Sequence, residues 1–485
     1  MLHTDNNLST IKHEVLISVA KHAFQGDLEQ SVEQIPYNLI PGPQANFRCC
    51  IYKEREIIRQ RVQLAQGHSP SGGQGNRNIV QTITAACEGC PITRFTVTDN
   101  CQRCMGKKCQ QACNFQAITM LPNRAYIDPA KCKECGMCAQ ACPYNAIADL
   151  IRPCKKSCPV DAITMDENNI VVIDEEKCIH CGSCIKDCPF GAISDRSFMV
   201  DVINLIRSGK EVYAMVAPAV EGQFGATASI GILSKSIEEL GFTGMFEASL
   251  GADFTAASEA EEWYEAYKEG KKMTTSCCPA FVTMIKKHFP TLLDNVSTTG
   301  SPQMLTSMLI KKLHPNAITV FIGPCIAKKS EVLDYVMTEG ATDYALTFDE
   351  LYAMFKAKDI DLNSFGENKQ QGSIYAKNFA VSGGVTAAVV QALKEKEADT
   401  DFKVQACNGG AECKKALMLL RAGKLPADFI EGMNCVGGCV NGPGSILTGR
   451  AAQQNRTKLL ATADNSGVLD TVKVYEVLGI HTHVR

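Results

Sequence analysis

The sequence predicts a chain of three kinds of structure. A helical N-terminal extension comes first, two tandem α+β modules built around cysteines follow, and an α/β domain fills the rest. Three observations predict this. Sixteen of the 25 cysteines fall between residues 87 and 188. Within that stretch one cysteine pattern occurs twice. Beyond about residue 205 the cysteines thin out, and short apolar runs such as VYAMVAPAV and ITVFIGPC alternate with helical stretches such as SIGILSKSIEELGF, as buried strands and covering helices do.

Composition sets outer limits. The 485 residues are 45% hydrophobic and 21% charged, ample for a large core, and the net charge is −3. No basic excess points to nucleic acid, and no apolar run reaches the length of about 18 residues that a membrane span needs. The opening MLHTDNNLSTIKHEVLISVAKHAF begins polar and lacks the apolar core of an export signal. The expectation is a cytoplasmic protein whose thiols stay reduced and serve metal or redox chemistry.

The N-terminal stretch reads as helical, with KEREIIRQRVQLAQG offering Ile57, Ile58, Val62 and Leu64 for packing, and HSPSGGQGN at 68–76 reads as a linker. Expected boundaries are 1–80 for this extension and linker, 81–150 for the first module, 151–204 for the second and 205–485 for the α/β domain. There is no GxxxxGK[ST] and no dinucleotide fingerprint.

The repeat reads CQQACNFQAITM…YIDPAKCKECGMCAQACPYNAI from Cys109 and CKKSCPVDAITM…VIDEEKCIHCGSCIKDCPFGAI from Cys154. Its CxxCxxCxxxCP spacing favours iron–sulfur clusters over single zinc ions. Each copy predicts a two-cluster, ferredoxin-like βαββαβ module, in which the fourth cysteine of each motif ligates the other cluster. The first module then pairs Cys101, Cys104 and Cys109 with Cys142, and Cys132, Cys135 and Cys138 with Cys113. The second pairs Cys178, Cys181 and Cys184 with Cys158. Its other site keeps only Cys154 and Cys188, and Cys87 and Cys90 of ACEGCP supply the missing two. Sixteen thiolates thus make four [4Fe-4S] clusters with none left over. The swap of Cys87/Cys90 with Cys101/Cys104 is the alternative, disfavoured because Cys104 and Cys109 lie close in sequence. Four clusters make an electron relay, and a relay needs a site that uses the electrons.

Three C-terminal segments could provide it: TSCCPAF, FIGPCIAKKSE and EGMNCVGGCVNGPG. Cys435 and Cys439 are spaced to face one site from one turn. Cys325, Lys328 and Glu331 recur every three residues, which puts them on one helix face. For an isolated PCxxK a solvated ion pair would be the better reading of Lys328 and Glu331. Beside two other cysteine loops and four clusters it is not.

Together the three segments resemble the signatures TSCCP, PCxxKxxE and CxGGCxxG of the [FeFe]-hydrogenases, and most resemble the divergent group called B. The resemblance covers about 205–485 and extends into the cluster-rich half. It implies an H-cluster, a [4Fe-4S] cubane joined to a diiron unit with CO, cyanide and a bridging dithiolate, held between two lobes of the α/β domain. By resemblance Cys278, Cys325, Cys435 and Cys439 hold the cubane, Lys328 faces a cyanide with Glu331 behind it, and Met433 lies near the diiron unit. Cys277 passes protons, and Glu259, Ser297 and Glu262 continue the route. The chain departs from group A at Gly323 and Ala266 and in GPGS. The implied reaction is reversible proton reduction to H2, with a soluble ferredoxin as redox partner and maturation proteins to supply the diiron unit. A non-catalytic relative of the cluster-assembly kind, an H2 sensor and a plain electron carrier are the competing readings. The first of these lacks the proton cysteine and the lysine, both present here. Cys49, Cys50, Cys407 and Cys413 have no implied role.

Overall fold

The computed structural model describes residues 7–70, 78–90, 93–362, 371–398, 401–461, 463 and 466–484. Most of the 68–76 linker lies outside them. No helix among the described residues is long and apolar enough to cross a membrane.

The first module follows the expected βαββαβ order. Strand β2 (Phe95–Val97), the short helix Lys108–Gln111, β3 (Ile118–Met120), β4 (Ala125–Ile127), the helix Met137–Ala141 and β5 (Ile147–Asp149) succeed one another, with β2 antiparallel to β5 and β3 to β4. Its small core is Phe95, Val97, Ile118, Ile127 and Ile147 packed among its own cysteines.

The second module is discontinuous in sequence. It contains the helix Pro153–Ser157, β6 (Ile163–Met165), β7 (Val171–Ile173), the helix Ser183–Asp187 and β8 (Ile193–Asp195). The strand that closes it is β1 (Val80–Thr82), antiparallel to β8 with Val80 opposite Asp195. The first module is therefore inserted into the second. The sequence assigned residues 81–90 to the first module and lent only two thiols onward. The structure lends the strand as well.

The α/β domain holds two parallel sheets. One has the order β10 (Gly244–Glu247), β9 (Val212–Val216), β12 (Ile318–Gly323), β13 (Tyr344–Thr347), and the other β11 (Met273–Thr274), β15 (Phe429–Met433), β14 (Val404–Asn408). Strands β9 and β15 are buried along their whole length, as parallel strands covered on both faces must be.

The N-terminal extension is docked and does not stand apart. Helix Asn7–Gln25 lies on the helix Phe348–Ala357, and Lys12 and His13 both reach Asp349, at 2.5 and 2.7 Å. The buried pair holds Asp349 well below the usual carboxylate range, because Lys12 and His13 outweigh the opposing effect of burial.

Helix Ser249–Lys268 runs through the core. Its Asp253 is fully buried and accepts from the Ser373 amide at 2.9 Å and the Ser373 hydroxyl at 2.5 Å. Burial pushes its pKa up to about 7, with the Ser373 hydrogen bonds opposing. The folded value lies above the unfolded one of about 3.9, so this group favours folding at low pH and its contribution is lost as pH rises through 7. Three units correspond to about 4 kcal/mol. Thermal midpoints followed from pH 5 to 8 should fall, and Asp253→Asn should flatten that slope. An unchanged slope would show that Asp253 titrates normally.

Candidate functional site

The three C-terminal cysteine loops all leave the carboxyl ends of parallel strands, where open α/β sheets place their ligands. TSCCP follows β11, Pro-Cys325 follows β12, and Cys435 follows β15. The loops from two sheets face each other across one cavity of about 80 Å³, lined by Cys277, Cys278, Cys325, Lys328, Met433 and Cys439 and otherwise almost wholly apolar. Cys278 is the N-cap residue of the helix Pro279–His288, with proline opening the helix. In CVGGC both glycines take positive φ, 81° at Gly437 and 93° at Gly438. A Cβ on Gly438 would lie 2.6 Å from the Ala380 carbonyl, so only glycine lets this loop double back, with Cys439 on the cavity and Cys435 on the neighbouring cleft.

The four thiols converge. Burial first, then the neighbouring thiols of Cys325, Cys439, Cys278 and Cys181, push the Cys435 thiol well above its ordinary value. Burial likewise raises Cys325, with Cys278 and Cys439 adding and Lys328 opposing, and carries Cys439 up to about 12. Buried thiols this close can ionise only around cations, so the donor set is one for clustered metal.

Lys328 is buried, and its Nζ donates to Glu331 Oε2 at 2.6 Å and Ser301 Oγ at 2.8 Å. An ammonium has three protons, and the lysine lines the cavity. Ser301 was not legible in the sequence, since it lies 27 residues away and is brought in by the start of the helix Pro302–Leu313.

Cys277 also lines the cavity, and burial first, then Glu259, keeps its thiol well above the ordinary value. Glu259 Oε1 accepts from the Ser276 amide and hydroxyl, both at 2.8 Å. Glu262 accepts from the Thr298 hydroxyl, and its Oε1 lies 3.1 Å from His483 Nδ1. His483 is about half exposed, and its Nδ1 is 2.8 Å from Thr298 Oγ1. Ser297 is buried beside them, but its Oγ accepts from the Thr299 amide at 3.2 Å, while Ser276 and Thr298 bond the two carboxylates. Ala266 is buried. Ser276 could have been suspected from its place beside Cys277, whereas nothing local in HTHVR marks His483.

Among the other sixteen cysteines, several neighbours expected to share a site lie close together. Burial raises Cys109, with Cys142 and Cys104 its neighbouring thiols, and Cys138, with Cys132 and Cys113. Cys178 is carried up to about 12, chiefly by burial, with Cys181 and Cys158 close by. Cys154 rises to about 11 through burial and then Cys188, Cys87 and Cys90. Cys87 and Cys90 therefore lie near Cys154 and Cys188, the arrangement that the spacing favoured over the swap. The AI that ends each motif also has a physical reason. The amides of Ala117, Ala146, Ala162 and Ala192 donate to the sulfurs of Cys113, Cys142, Cys158 and Cys188 at 3.2–3.4 Å, which stabilises thiolate.

Exposure is graded along the series. Cys135 of the first module is exposed, as are Met105, Met137 and Tyr144 of the same module, with Cys109 and Cys138 buried there, whereas no cysteine of the second module is exposed and Cys87, Cys154, Cys178 and Cys188 are buried. Cys181 and Cys435 line one cleft between the second module and the α/β domain. Cys407 and Cys413 are fully buried and packed in the same cluster as Cys278, with the Cys407 thiol donating to the Gln405 carbonyl at 3.9 Å. Cys49 and Cys50 are exposed.

Comparison with known proteins agrees with this geometry. Residues 210–443 match the family model "Iron only hydrogenase large subunit, C-terminal domain". Residues 125–148 match a 4Fe-4S binding domain, and 148–199 match the LdpA Fe-S cluster-binding domain. The chain is 32% identical over 386 residues to the periplasmic [Fe] hydrogenase large subunit of Nitratidesulfovibrio vulgaris, covering 68% of this chain and 88% of that one. It is 29% identical to iron hydrogenase 1 of Clostridium pasteurianum, over 66% of this chain and 64% of that one. It is also 24% identical to the human nuclear prelamin A recognition factor, over 44% of this chain and 58% of that one. Fold and thiol clusters define an iron–sulfur protein of hydrogenase type. The chain belongs to the iron-only hydrogenase large-subunit family.

Proposed function

We propose that this protein is a working hydrogenase that interconverts H2 with protons and electrons at an H-cluster, served by four [4Fe-4S] clusters. The observation that carries the reading is the shared cavity: Cys277 and Lys328 line it together with Cys278, Cys325 and Cys439. A family member that only carried a cubane would need the thiol quartet and neither of the other two groups. The prelamin A recognition factor among the relatives keeps that simpler reading alive, and the two residues weigh against it.

The residues fit the group. Cys278, Cys325, Cys435 and Cys439 would hold the cubane, with Met433 against the diiron side. When bound, the H-cluster supplies the iron on which protons and electrons become H2. Lys328, steadied by Glu331 and Ser301, presents a cation to anionic ligands in the cavity. The apolar walls exclude water. Cys277 holds a proton at its sulfur, because burial and Glu259 disfavour the thiolate. Glu259 exchanges that proton inward, and Glu262 passes it to solvent with His483 at the exit. Ser276 bonds the inner carboxylate and Thr298 the outer one, with Ser297 buried next to Thr298 in the chain.

Electrons would enter at the exposed first module, where a soluble ferredoxin would meet Met105, Met137 and Tyr144. They would leave the second module at Cys181, across from Cys435. We place the second module at 78–90 and 151–204, the α/β catalytic domain at 205–485, the first module at 93–150, and the protein in the cytoplasm with maturation proteins supplying the diiron unit.

Infrared spectroscopy of the anaerobically matured protein tests the assignment. Bands from metal-bound CO and cyanide are expected. A matured protein with full iron and sulfide but no such bands would make the simpler reading the correct one.

A further inference from the structure

The quartet of Cys87, Cys90, Cys154 and Cys188 differs from the other three in its surroundings. Three guanidinium groups grip the loops that carry it. Arg48 donates to the Ala86 carbonyl at 2.7 Å, next to Cys87. Arg152 donates to the Asn169 carbonyl at 2.8 Å, in the turn before Val171, whose amide reaches Cys87 Sγ at 3.4 Å. Arg61 donates to the Gly191 carbonyl at 2.6 Å, three residues beyond Cys188. Arg48 and Arg61 both come from the N-terminal extension, the second from the helix Ile51–Ala65.

Arg61 is the most informative of the three. In all four motifs the residue three places after the crossing cysteine adopts a left-handed backbone, with φ of 52° at Gln116, 49° at Asn145, 55° at Asp161 and 56° at Gly191. Only Gly191 lacks a Cβ. A Cβ there would lie 2.5 Å from Arg61 Nη2 and 2.3 Å from Leu8, so the missing side chain is the space into which the extension is inserted. Arg61 is only 7% exposed, and its Nε has no hydrogen-bond partner. No carboxylate forms an ion pair with it among the described residues. Burial lowers its pKa to about 10, with Cys188 opposing, so it remains a cation at neutral pH. A buried cation without a carboxylate calls for some other anion. The charges that reach Cys90 include both Arg152 and Arg48. Asp166 is the acid that reaches this quartet, at Cys87; at Cys178 the acid is Glu175 and the cation is the part-exposed Lys287, which donates to the Cys178 carbonyl at 2.8 Å, and Arg103, Lys107 and Lys133 of the first module are exposed and screened by water.

We propose that Arg61, with Arg48 and Arg152, is the counter-charge of a [4Fe-4S] cluster on Cys87, Cys90, Cys154 and Cys188, and that it gives this cluster the highest reduction potential of the four. The inference rests on the reading that this quartet holds such a cluster. One electron leaves a reduced neighbouring cluster and reduces this one, no bond breaks, and no proton moves. Reduction adds one negative charge, which fixed cations in a poorly solvated site favour. Cys154 lies within electrostatic reach of Cys184, so the electron would rest one cluster short of the one facing the cubane. For a two-electron reaction, this is a place to hold one electron until the second arrives.

The test is a potentiometric titration of the full-length, cluster-loaded protein followed by electron paramagnetic resonance. The wave that Cys87→Ser alters identifies the cluster. It should be the most positive of the four. In Arg61→Gln its reduced-to-oxidised ratio at fixed potential should fall about tenfold, ~59 mV for one electron, with the other waves unmoved, while Arg61→Lys should stay near the parent. An unmoved wave in Arg61→Gln at full iron content overturns the proposal. Should Arg61→Gln lose the cluster, the half-buried Arg48→Gln decides, by a smaller shift of the same sign or by none. Iron and sulfide short of four accessory clusters in the parent protein would instead remove the cluster reading itself.

Discussion

Replacing Cys277 by serine is expected to lower hydrogen turnover by roughly 10²- to 10⁴-fold while leaving the thiol quartet behind it in place. The side chain lines the cavity on one side and feels the charge of Glu259 on the other. Its neighbour Ser276 already holds Glu259 Oε1 through amide and hydroxyl at 2.8 Å. A hydroxyl is smaller than a thiol and far less acidic, so it occupies the space but gives up its proton reluctantly. On the proposed reading Cys278, and not Cys277, holds the cubane, so the infrared bands of a bound diiron unit should survive. Turnover at the parent rate with those bands intact would take Cys277 out of the proton route. Loss of both would mean that the substitution had disturbed cofactor binding.

The second large effect is structural. Replacing Lys329 by methionine should cost about 3–5 kcal/mol. Lys329 is fully buried, and its Nζ donates to Asp195 Oδ2 at 2.7 Å, Glu350 Oε1 at 2.9 Å and the Arg196 carbonyl at 3.1 Å. Asp195 is on β8 of the second module, and Glu350 caps a helix of the α/β domain through Thr347. This lysine therefore pins the second cysteine-rich module to the α/β domain. Burial alone would raise Asp195, yet Lys329 and Lys12 hold it below the usual carboxylate range. Removing the ammonium leaves two buried carboxylates facing each other. The denaturation midpoint in urea should drop, and Lys329→Met combined with Asp195→Asn should recover part of the loss. Equal midpoints for parent and single variant would mean that water reaches the site and the pin contributes little.

Cysteine spacing carried most of what could be read in advance. Thiol arithmetic drew Cys87 and Cys90 into the set of sixteen, and the short span from Cys104 to Cys109 favoured placing them with Cys154 and Cys188 over the swap that the count alone also allows. The strand that accompanies them was not legible: VQT is three residues long, and a strand so short has no alternation to detect. The three cysteine loops of the α/β domain were readable because each is a compact motif. Ser301, Thr298 and His483 were not, since each meets its partner across 27, 36 and 221 residues. Ser297 was placed by resemblance in a route where Ser276 and Thr298 hold the bonds to the carboxylates. Lys329 next to Lys328 shows the same limit. In AKKSE the two look interchangeable, yet one faces the cavity and the other a domain junction.

The gradient in cysteine exposure has a further consequence. On the proposed reading, an oxidant or iron scavenger arriving from outside corrodes the tip of the wire at Cys135 well before its root at Cys178 and Cys188. Such damage would make the molecule mute to its protein partner while small diffusible dyes could still draw current from the intact interior, so early injury would register as disconnection and not as death of the catalyst.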